Sequence, residues 1–180
     1  MRPLSFPGRR LAGILSRHSH AGAHIEQLQN LKAEGRIEEA RQHGLLQLAE
    51  HPQNAELHYE VAGLHDNQGR EAQAIPLYQR AIALGLAGEA LRGAWLGLGS
   101  SYRTTGQYPE ALTAFEQGLA CFPNANEFKV FRAMVCYNLG RHKEGMESLL
   151  AVLAETTTAP ALIPYRRAMA LYATDLDRQW

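Results

Sequence analysis

The helical repeat of this chain is clearest in residues 95–123, which read WLGLGSSYRTTGQYPEALTAFEQGLACFP. Before Gly106, four residues have the i, i+3, i+4, i+7 spacing that places side chains on one face of a helix: Trp95, Leu98, Gly99 and Tyr102. After Gly106, Ala111 and Phe115 are about one helical turn apart. A glycine between two such segments is typical of a left-handed helix C-cap followed by a short turn. The stretch therefore predicts a helix hairpin, in which Gly99 permits close approach and Ala111 and Phe115 fill the facing side.

The same pattern occurs four times along the chain. Its glycines are spaced 34, 37 and 34 residues apart, at Gly35, Gly69, Gly106 and Gly140. The three extra residues of the second interval fall at residues 85–89, where two glycines allow a longer loop. Strand-like alternation of apolar and polar residues is absent. The periodicity predicts helices near residues 22–33, 37–50, 55–68, 71–84, 89–104, 108–121, 125–139, 142–155 and 161–176.

Residues 95–123 resemble the signature of the tetratricopeptide repeat, a family of stacked helix hairpins. The match consists of Trp95-x2-Leu98-Gly99-x2-Tyr102, then Ala111-x3-Phe115, then Pro123. The other repeats match less well, since His58 stands at the tryptophan position of the second repeat and Gly145 at the alanine position of the fourth. The residues identified with the repeat signature are Gly35, Ala40, Gly69, Ala74, Trp95, Leu98, Gly99, Tyr102, Gly106, Ala111, Phe115, Pro123 and Gly140.

The resemblance implies an all-α fold, an α-solenoid of about four hairpins followed by a C-terminal capping helix. The repeats are expected at about residues 21–54, 55–91, 92–125 and 126–159, with the capping helix at 160–180. Residues 1–20 are expected to form a basic, partly flexible N-terminal arm outside the repeat domain, which spans 21–180.

A second stripe, offset by one residue from the packing stripe, is the candidate functional surface. Its residues have i, i+4, i+7 spacing on the first helix of each hairpin, so they share a face and align when hairpins stack. In the family that the chain resembles, this face lines a concave groove that binds extended or helical peptides. Each triplet begins with an apolar residue and ends with a polar or aromatic one, which indicates an apolar wall and a polar wall. The candidate groove residues are Ile25, Gln29, Lys32, Tyr59, Asp66, Asn67, Leu96, Ser100, Arg103, Val130, Met134, Tyr137 and Asn138.

The residues leave several alternatives open. Lys32, Asp66 and Arg103 could pair with one another across neighbouring repeats instead of facing a ligand. The resemblance implies a non-enzymatic scaffold or adaptor that binds a peptide or helix segment of another protein. An export chaperone that holds an apolar client segment is one alternative, and a self-associating structural protein is another. A homo-oligomer is a further possibility, indicated by the C-terminal Trp180 and by Tyr165, Leu171 and Tyr172 of the last helix.

Composition and charge exclude several other classes of protein. The 180 residues are 46% hydrophobic and 20% charged, which excludes a disordered chain. The net charge is zero, but it is the sum of +4 over residues 1–25 and −4 over the remainder. Because the whole chain has no net charge, a general binder of nucleic acid is not expected. No apolar run is long enough to span a membrane, and two cysteines fit a reducing compartment. A cytoplasmic protein with no membrane partner is expected.

Neither a metal site nor a catalytic site is expected. His20 and His24 are four residues apart, but no carboxylate or cysteine precedes Glu26 to complete a ligand set. His58 and His65 fall on the packing stripe and are expected to be core or half-buried residues that are hydrogen-bonded. The glycines around Leu98 are explained by helix packing, since no strand precedes them as in a phosphate-binding loop. The chain is expected to need no cofactor and to catalyse no reaction.

Overall fold

Short turns at glycine join the helices into hairpins, as the sequence predicts. The computed structural model describes residues 11–179, with side chains from residue 22 onward. Gly106 has a φ of 78°, and its amide donates a hydrogen bond to the carbonyl of Arg103. This left-handed conformation is strained for any residue with a Cβ, which is why glycine ends the helix. The equivalent glycines have φ angles of 74°, 66° and 74° at Gly35, Gly69 and Gly140.

The four hairpins follow one another along the chain, and no strand occurs among residues 11–179. They pair α1 (Leu11–Ala33) with α2 (Ile37–Glu50), α3 (Ala55–Asp66) with α4 (Glu71–Ala83), α5 (Gly88–Thr104) with α6 (Tyr108–Cys121), and α7 (Asn126–Asn138) with α8 (His142–Thr156). A 3-10 turn (Ile163–Tyr165) leads into α9 (Arg166–Tyr172), which packs against α8. The prediction of an all-α solenoid of helix hairpins is confirmed.

The core is divided into three apolar clusters, and each is shared by successive hairpins. The first joins α1, α2 and α3 and includes Leu28 and Val61. The second joins the hairpins of α3 and α5 and includes Tyr78. The third joins α5, α6 and α7 around Phe115 and Phe128, both fully buried. Since each cluster involves neighbouring hairpins, the array is held together by nearest-neighbour interfaces.

Close approach between helices occurs where glycine faces an aromatic ring. At Gly99 of α5, a Cβ would lie only 2.5 Å from Cε1 of Phe115 in α6. At Gly118 of α6, a Cβ would lie 2.3 Å from Cε1 of Phe128 in α7. A methyl group cannot occupy either position without displacing the ring, so the missing side chains let the aromatic residues fill the interfaces.

The ends of the helical array differ from the predicted boundaries. Helix α1 begins at Leu11, so residues 11–20 of the predicted arm are helical, and residues 1–10 lie outside the described part of the chain. At the other end, the predicted helix over 161–176 is replaced by the 3-10 turn and the 7-residue α9. Pro164 explains why the α-helix does not begin at residue 161, because proline lacks an amide N–H and disfavours a helical conformation in the residue before it. Within residues 11–179, no helix is long and apolar enough to cross a membrane.

Candidate peptide-binding groove

Four candidate groove residues line one cavity between the first two hairpins, here called the polar cavity. Its volume is about 210 Å³, and its walls are Lys32, Tyr59, Glu60, Gly63, Asp66, Asn67 and Tyr78. Lys32 lies near the end of α1, whereas Tyr59 and Asp66 belong to α3. The stacking of α1 on α3 therefore converts a sequence spacing into a shared polar surface.

Three further candidate residues line a second cavity at the last two hairpins, here called the apolar cavity. Its volume is about 400 Å³, and its walls are Arg103, Ala133, Met134, Tyr137, His142, Gly145, Met146 and Leu149. The two cavities differ along the array, with the polar cavity at the first two hairpins and the apolar cavity at the last two. The predicted contrast was instead between the two edges of the groove.

The remaining six candidate residues lie outside both cavities. Four of them are half-buried on their helices: Ile25, Leu96, Ser100 and Val130. The other two connect first helices of neighbouring repeats. Gln29 donates from Nε2 to Oε1 of Glu60 at 3.0 Å, and Asn138 accepts at Oδ1 from Nε of Arg103 at 2.8 Å. Part of the stripe therefore stabilises the stacking of hairpins.

Asp66 is anchored at the polar cavity by two hydroxyl groups. The hydroxyl of Tyr78 donates to Oδ2 of Asp66 at 3.3 Å, and that of Ser101 donates to Oδ1 at 3.5 Å. Burial raises the pKa of Asp66, and the hydrogen bond from Tyr78 opposes this rise because it favours the ionised carboxylate. Burial and the nearby Asp66 charge both raise the pKa of Tyr78. The site thus presents an oriented carboxylate at the boundary between repeats.

The ion-pair alternative for the polar stripe is not what the structure contains. Among the described residues, Lys32, Asp66 and Arg103 form no ion pairs with one another, since Asp66 accepts from Tyr78 and Ser101. Ion pairs that do link neighbouring repeats lie elsewhere, such as Arg92 Nε with Glu127 Oε1 at 2.5 Å.

Replacing Tyr78 by phenylalanine is expected to raise the pKa of Asp66 further. The change removes the hydroxyl that donates to the carboxylate, while the ring that buries it remains. An NMR titration of the Asp66 carboxyl carbon measures the shift. Ser101→Ala is the matched control, and its longer hydrogen bond predicts a smaller rise. A pKa for Asp66 that falls or stays constant in the Tyr78→Phe variant contradicts this assignment.

Residues of the second helices were missed in the sequence. Tyr78 of α4 reaches the polar cavity, and Met146 and Leu149 of α8 line the apolar cavity. The stripe considered only first helices. The available signal for Leu149 is an apolar residue at the position equivalent to Phe115 one repeat earlier. That signal alone indicates a core residue, because the spacing does not show what packs over it.

The histidines cluster without forming a metal site in the described residues. The ring of His24 lies 6.1 Å from that of His43 and 5.6 Å from that of His51, between centroids. Across the part of the chain with described side chains, no three His, Cys, Asp or Glu residues are placed to hold a metal ion. His58 contacts the carbonyl of Pro52 through Nε2 at 3.1 Å. His65 is buried, and burial lowers its pKa, which favours the neutral imidazole.

Comparison with known families and proteins gives a consistent result. A family model described as tetratrico peptide repeat matches residues 55–176, and a second, described as tetratricopeptide repeat, matches residues 20–88. The human protein O-mannosyl-transferase TMTC1 is 29% identical over 110 residues, which are 61% of this chain and 12% of TMTC1. The chain therefore spans only a small part of the length of that relative.

Solved structures resemble the fold at low sequence identity. The structure titled MamA MSR-1 C2 has a TM-score of 0.62 and 15% identity, and the match covers 76% of this chain and 88% of that one. A structure of Naa15/Naa10 bound to HypK-THB has a TM-score of 0.45 and 14% identity, with 87% of this chain and 30% of that chain covered. The likeness to MamA shows a similar fold.

Proposed function

This chain belongs to the tetratricopeptide repeat family, and from that membership we propose that it is a non-enzymatic scaffold that binds a peptide segment of another protein in its groove. Proteins built from these repeats are in general interaction scaffolds. The proposal for this chain goes further, since it assigns the polar cavity as the part of the groove that recognises the peptide.

The observation that carries the proposal is the convergence of exposed polar groups in the polar cavity. Lys32 and Asn67 are exposed there, and the carboxylate of Asp66 is held in place beside them. An asparagine amide can donate to and accept from a peptide backbone at once. The ammonium group of Lys32 can donate to a backbone carbonyl of the ligand, whereas an acidic ligand side chain would meet the carboxylates of Asp66 and Glu60 in the same cavity. We therefore expect an extended segment whose backbone lies along Asn67 and Lys32.

Replacing both Lys32 and Asn67 by alanine is expected to weaken peptide binding about thirtyfold or more, because one charged and one neutral hydrogen bond are lost. Peptides selected from a random display library on the immobilised chain supply the ligand, and isothermal titration measures their affinity for each variant. Both side chains are exposed, so the helical fold should be unchanged by circular dichroism.

A double replacement on the outer face of α4, Gln73→Ala with Arg80→Ala, is the matched control. It also removes one amide and one cation from exposed positions, but neither lines the polar cavity. Its affinity should equal that of the parent chain. Equal affinity in the Lys32 and Asn67 variant, or equal losses in both variants, would show that the selected peptides bind elsewhere.

A chaperone for an apolar client segment is the second candidate, and the apolar cavity favours it. Met134 and Met146 line that cavity, and methionine adapts its shape to varied apolar partners. Selected peptides that are purely apolar and insensitive to Lys32→Ala would support this function.

For either function we place the protein in the cytoplasm, because Cys121 and Cys136 are unpaired thiols.

A further inference from the structure

Exposed apolar side chains are concentrated at the C-terminal end of the array. Among residues 22–179, 11 large apolar side chains are exposed, and 9 of them lie between Tyr137 and Leu176. We define the C-terminal face by the six that the argument uses: Met146, Leu149, Leu153, Ile163, Tyr165 and Leu171. Exposed apolar surface concentrated in one part of a folded domain is typical of an interface.

Equivalent positions in earlier repeats are covered by the next hairpin. Leu149 occupies the position of Gly44, Tyr78 and Phe115 in the first three repeats, and all three are buried. Phe115 is covered by α7, with its ring 6.5 Å from that of Phe128 and 6.0 Å from that of Phe131, between centroids. Leu149, by contrast, is 38% exposed. The fourth hairpin therefore presents a surface shaped to receive another helix.

Helix α9 packs beside this surface without covering it. Glu147 accepts a hydrogen bond from the amide of Leu176 at 2.9 Å, and Lys143 pairs with Asp175 at 2.5 Å. These contacts hold the C-terminal segment on the side of α8 opposite Gly145, which faces α7. At 100° per residue, Met146 and Leu153 lie between those two sides. They are 56% and 40% exposed.

The N-terminal end of a second copy does not fit this surface. On α7, Phe128, Phe131 and Val135 form the side that meets the preceding hairpin. The equivalent positions on α1 are Ala23, Glu26 and Asn30, and all are exposed. Covering apolar residues with a carboxylate and an amide would leave those polar groups without water. A head-to-tail array is therefore disfavoured.

The C-terminal face of a second copy does fit. It offers Tyr165 of the 3-10 turn and Leu171 of α9 next to an apolar surface on α8. At about 150–200 Å² for a large apolar side chain, the six residues of this face, which are 38–61% exposed, present roughly 430–570 Å². That is close to the apolar share, about 60%, of the ~800 Å² per partner of a stable interface. Residues 137–179 carry five basic and five acidic residues, so two such faces bear no net charge to repel each other.

We propose that two copies of this chain form a symmetric dimer through the C-terminal face, with α9 of each copy packed against Met146, Leu149 and Leu153 of the other. Such an interface is self-complementary and closes after two copies. The dimer carries two polar cavities, so a partner with two binding segments is held more tightly than by one chain.

Sedimentation equilibrium on the full chain, over about 1–100 μM, tests the dimer. The expected mass is twice the 19.9 kDa of one chain. Met146→Glu with Leu153→Glu should raise the dissociation constant about a hundredfold, since two charges are forced against apolar surface. Leu45→Glu with Leu46→Glu is the matched control, because both leucines are exposed on α2 at the other end of the array. The control should remain dimeric.

Each outcome bears on the proposal. The dimer is supported if Met146→Glu with Leu153→Glu abolishes it and Leu45→Glu with Leu46→Glu does not. A melting temperature that rises with protein concentration also supports the dimer. A monomer at every concentration overturns it and leaves the face for a helix of another protein. A dimer that survives the first variant, or is lost in the control, also overturns it. If the first variant fails to fold by circular dichroism, Leu149→Ala with Tyr165→Ala should still weaken the dimer. Peptide binding at Lys32 and Asn67 is unaffected by any of these results.

Discussion

Replacing Phe115 by alanine should lower the free energy of unfolding by about 3–5 kcal/mol. Phe115 is fully buried, and its ring contacts Phe128 and Phe131 of the following hairpin as well as the backbone region of Gly99. Removing the ring takes apolar contacts from three helices at once, and rigid helices on both sides limit collapse of the cavity. Urea denaturation followed by circular dichroism measures the loss.

Phe122→Ala is the control for this prediction. Phe122 stacks on Phe128 with 6.4 Å between ring centroids, but it lies at the end of α6 and is only half-buried. Its removal should cost clearly less than the removal of Phe115. Losses of equal size would mean that the greater burial of Phe115 does not set the size of its contribution. A loss below about 1 kcal/mol would mean that neighbouring helices close the cavity.

Replacing Gly99 by alanine should lower the free energy of unfolding by about 1–3 kcal/mol, although alanine is the better helix former. The new methyl carbon would meet the Phe115 ring at 2.5 Å, and the ring is confined by Phe128 and Phe131. In a chain that already carries Phe115→Ala, the same change should be neutral or stabilise by up to about 1 kcal/mol, because the obstacle is gone.

This reversal of sign distinguishes a steric role from a general preference for glycine. Gly22→Ala in α1 is the matched control, since a Cβ there meets no atom within 4 Å. It should stabilise the chain slightly through helix propensity alone. If Gly99→Ala destabilises equally with and without Phe115, the close contact between the two positions is not the cause. Urea denaturation of the parent chain, Gly99→Ala, Phe115→Ala and the double variant measures these free energies of unfolding.

The repeat could be recognised from local sequence because its signals act over a few residues. Gly106 ends a helix through its own backbone conformation, and Trp95 and Tyr102 share a face because helical geometry places them there. The helix hairpins were therefore correct in number and order. The predicted boundaries at the two ends were wrong. Residues 11–20 belong to α1 and not to a separate arm, and Pro164 displaces the start of α9.

The site was less predictable because its residues come from several elements. The spacing of the stripe identifies Lys32 and Asp66 as members of one face, but not the hydroxyl of Tyr78 that binds Asp66 from α4. The stripe does not separate Asn138, which is used in a hydrogen bond to Arg103, from Asn67, which faces the polar cavity. Such distinctions depend on the distance between helices, and periodicity carries no information about that distance.

Periodicity and glycine spacing were thus sufficient for the α-solenoid and its family, since turns and helical faces follow from backbone geometry within one repeat. The exposure of Leu149 could not be read in the same way. Its position is occupied by the buried Phe115 one repeat earlier, and its side chain is equally apolar. Whether such a residue is core or interface depends on what packs over it, and in this chain α9 lies to one side. Burial is a property of the neighbouring helices, so it emerged only when the hairpins were placed against one another.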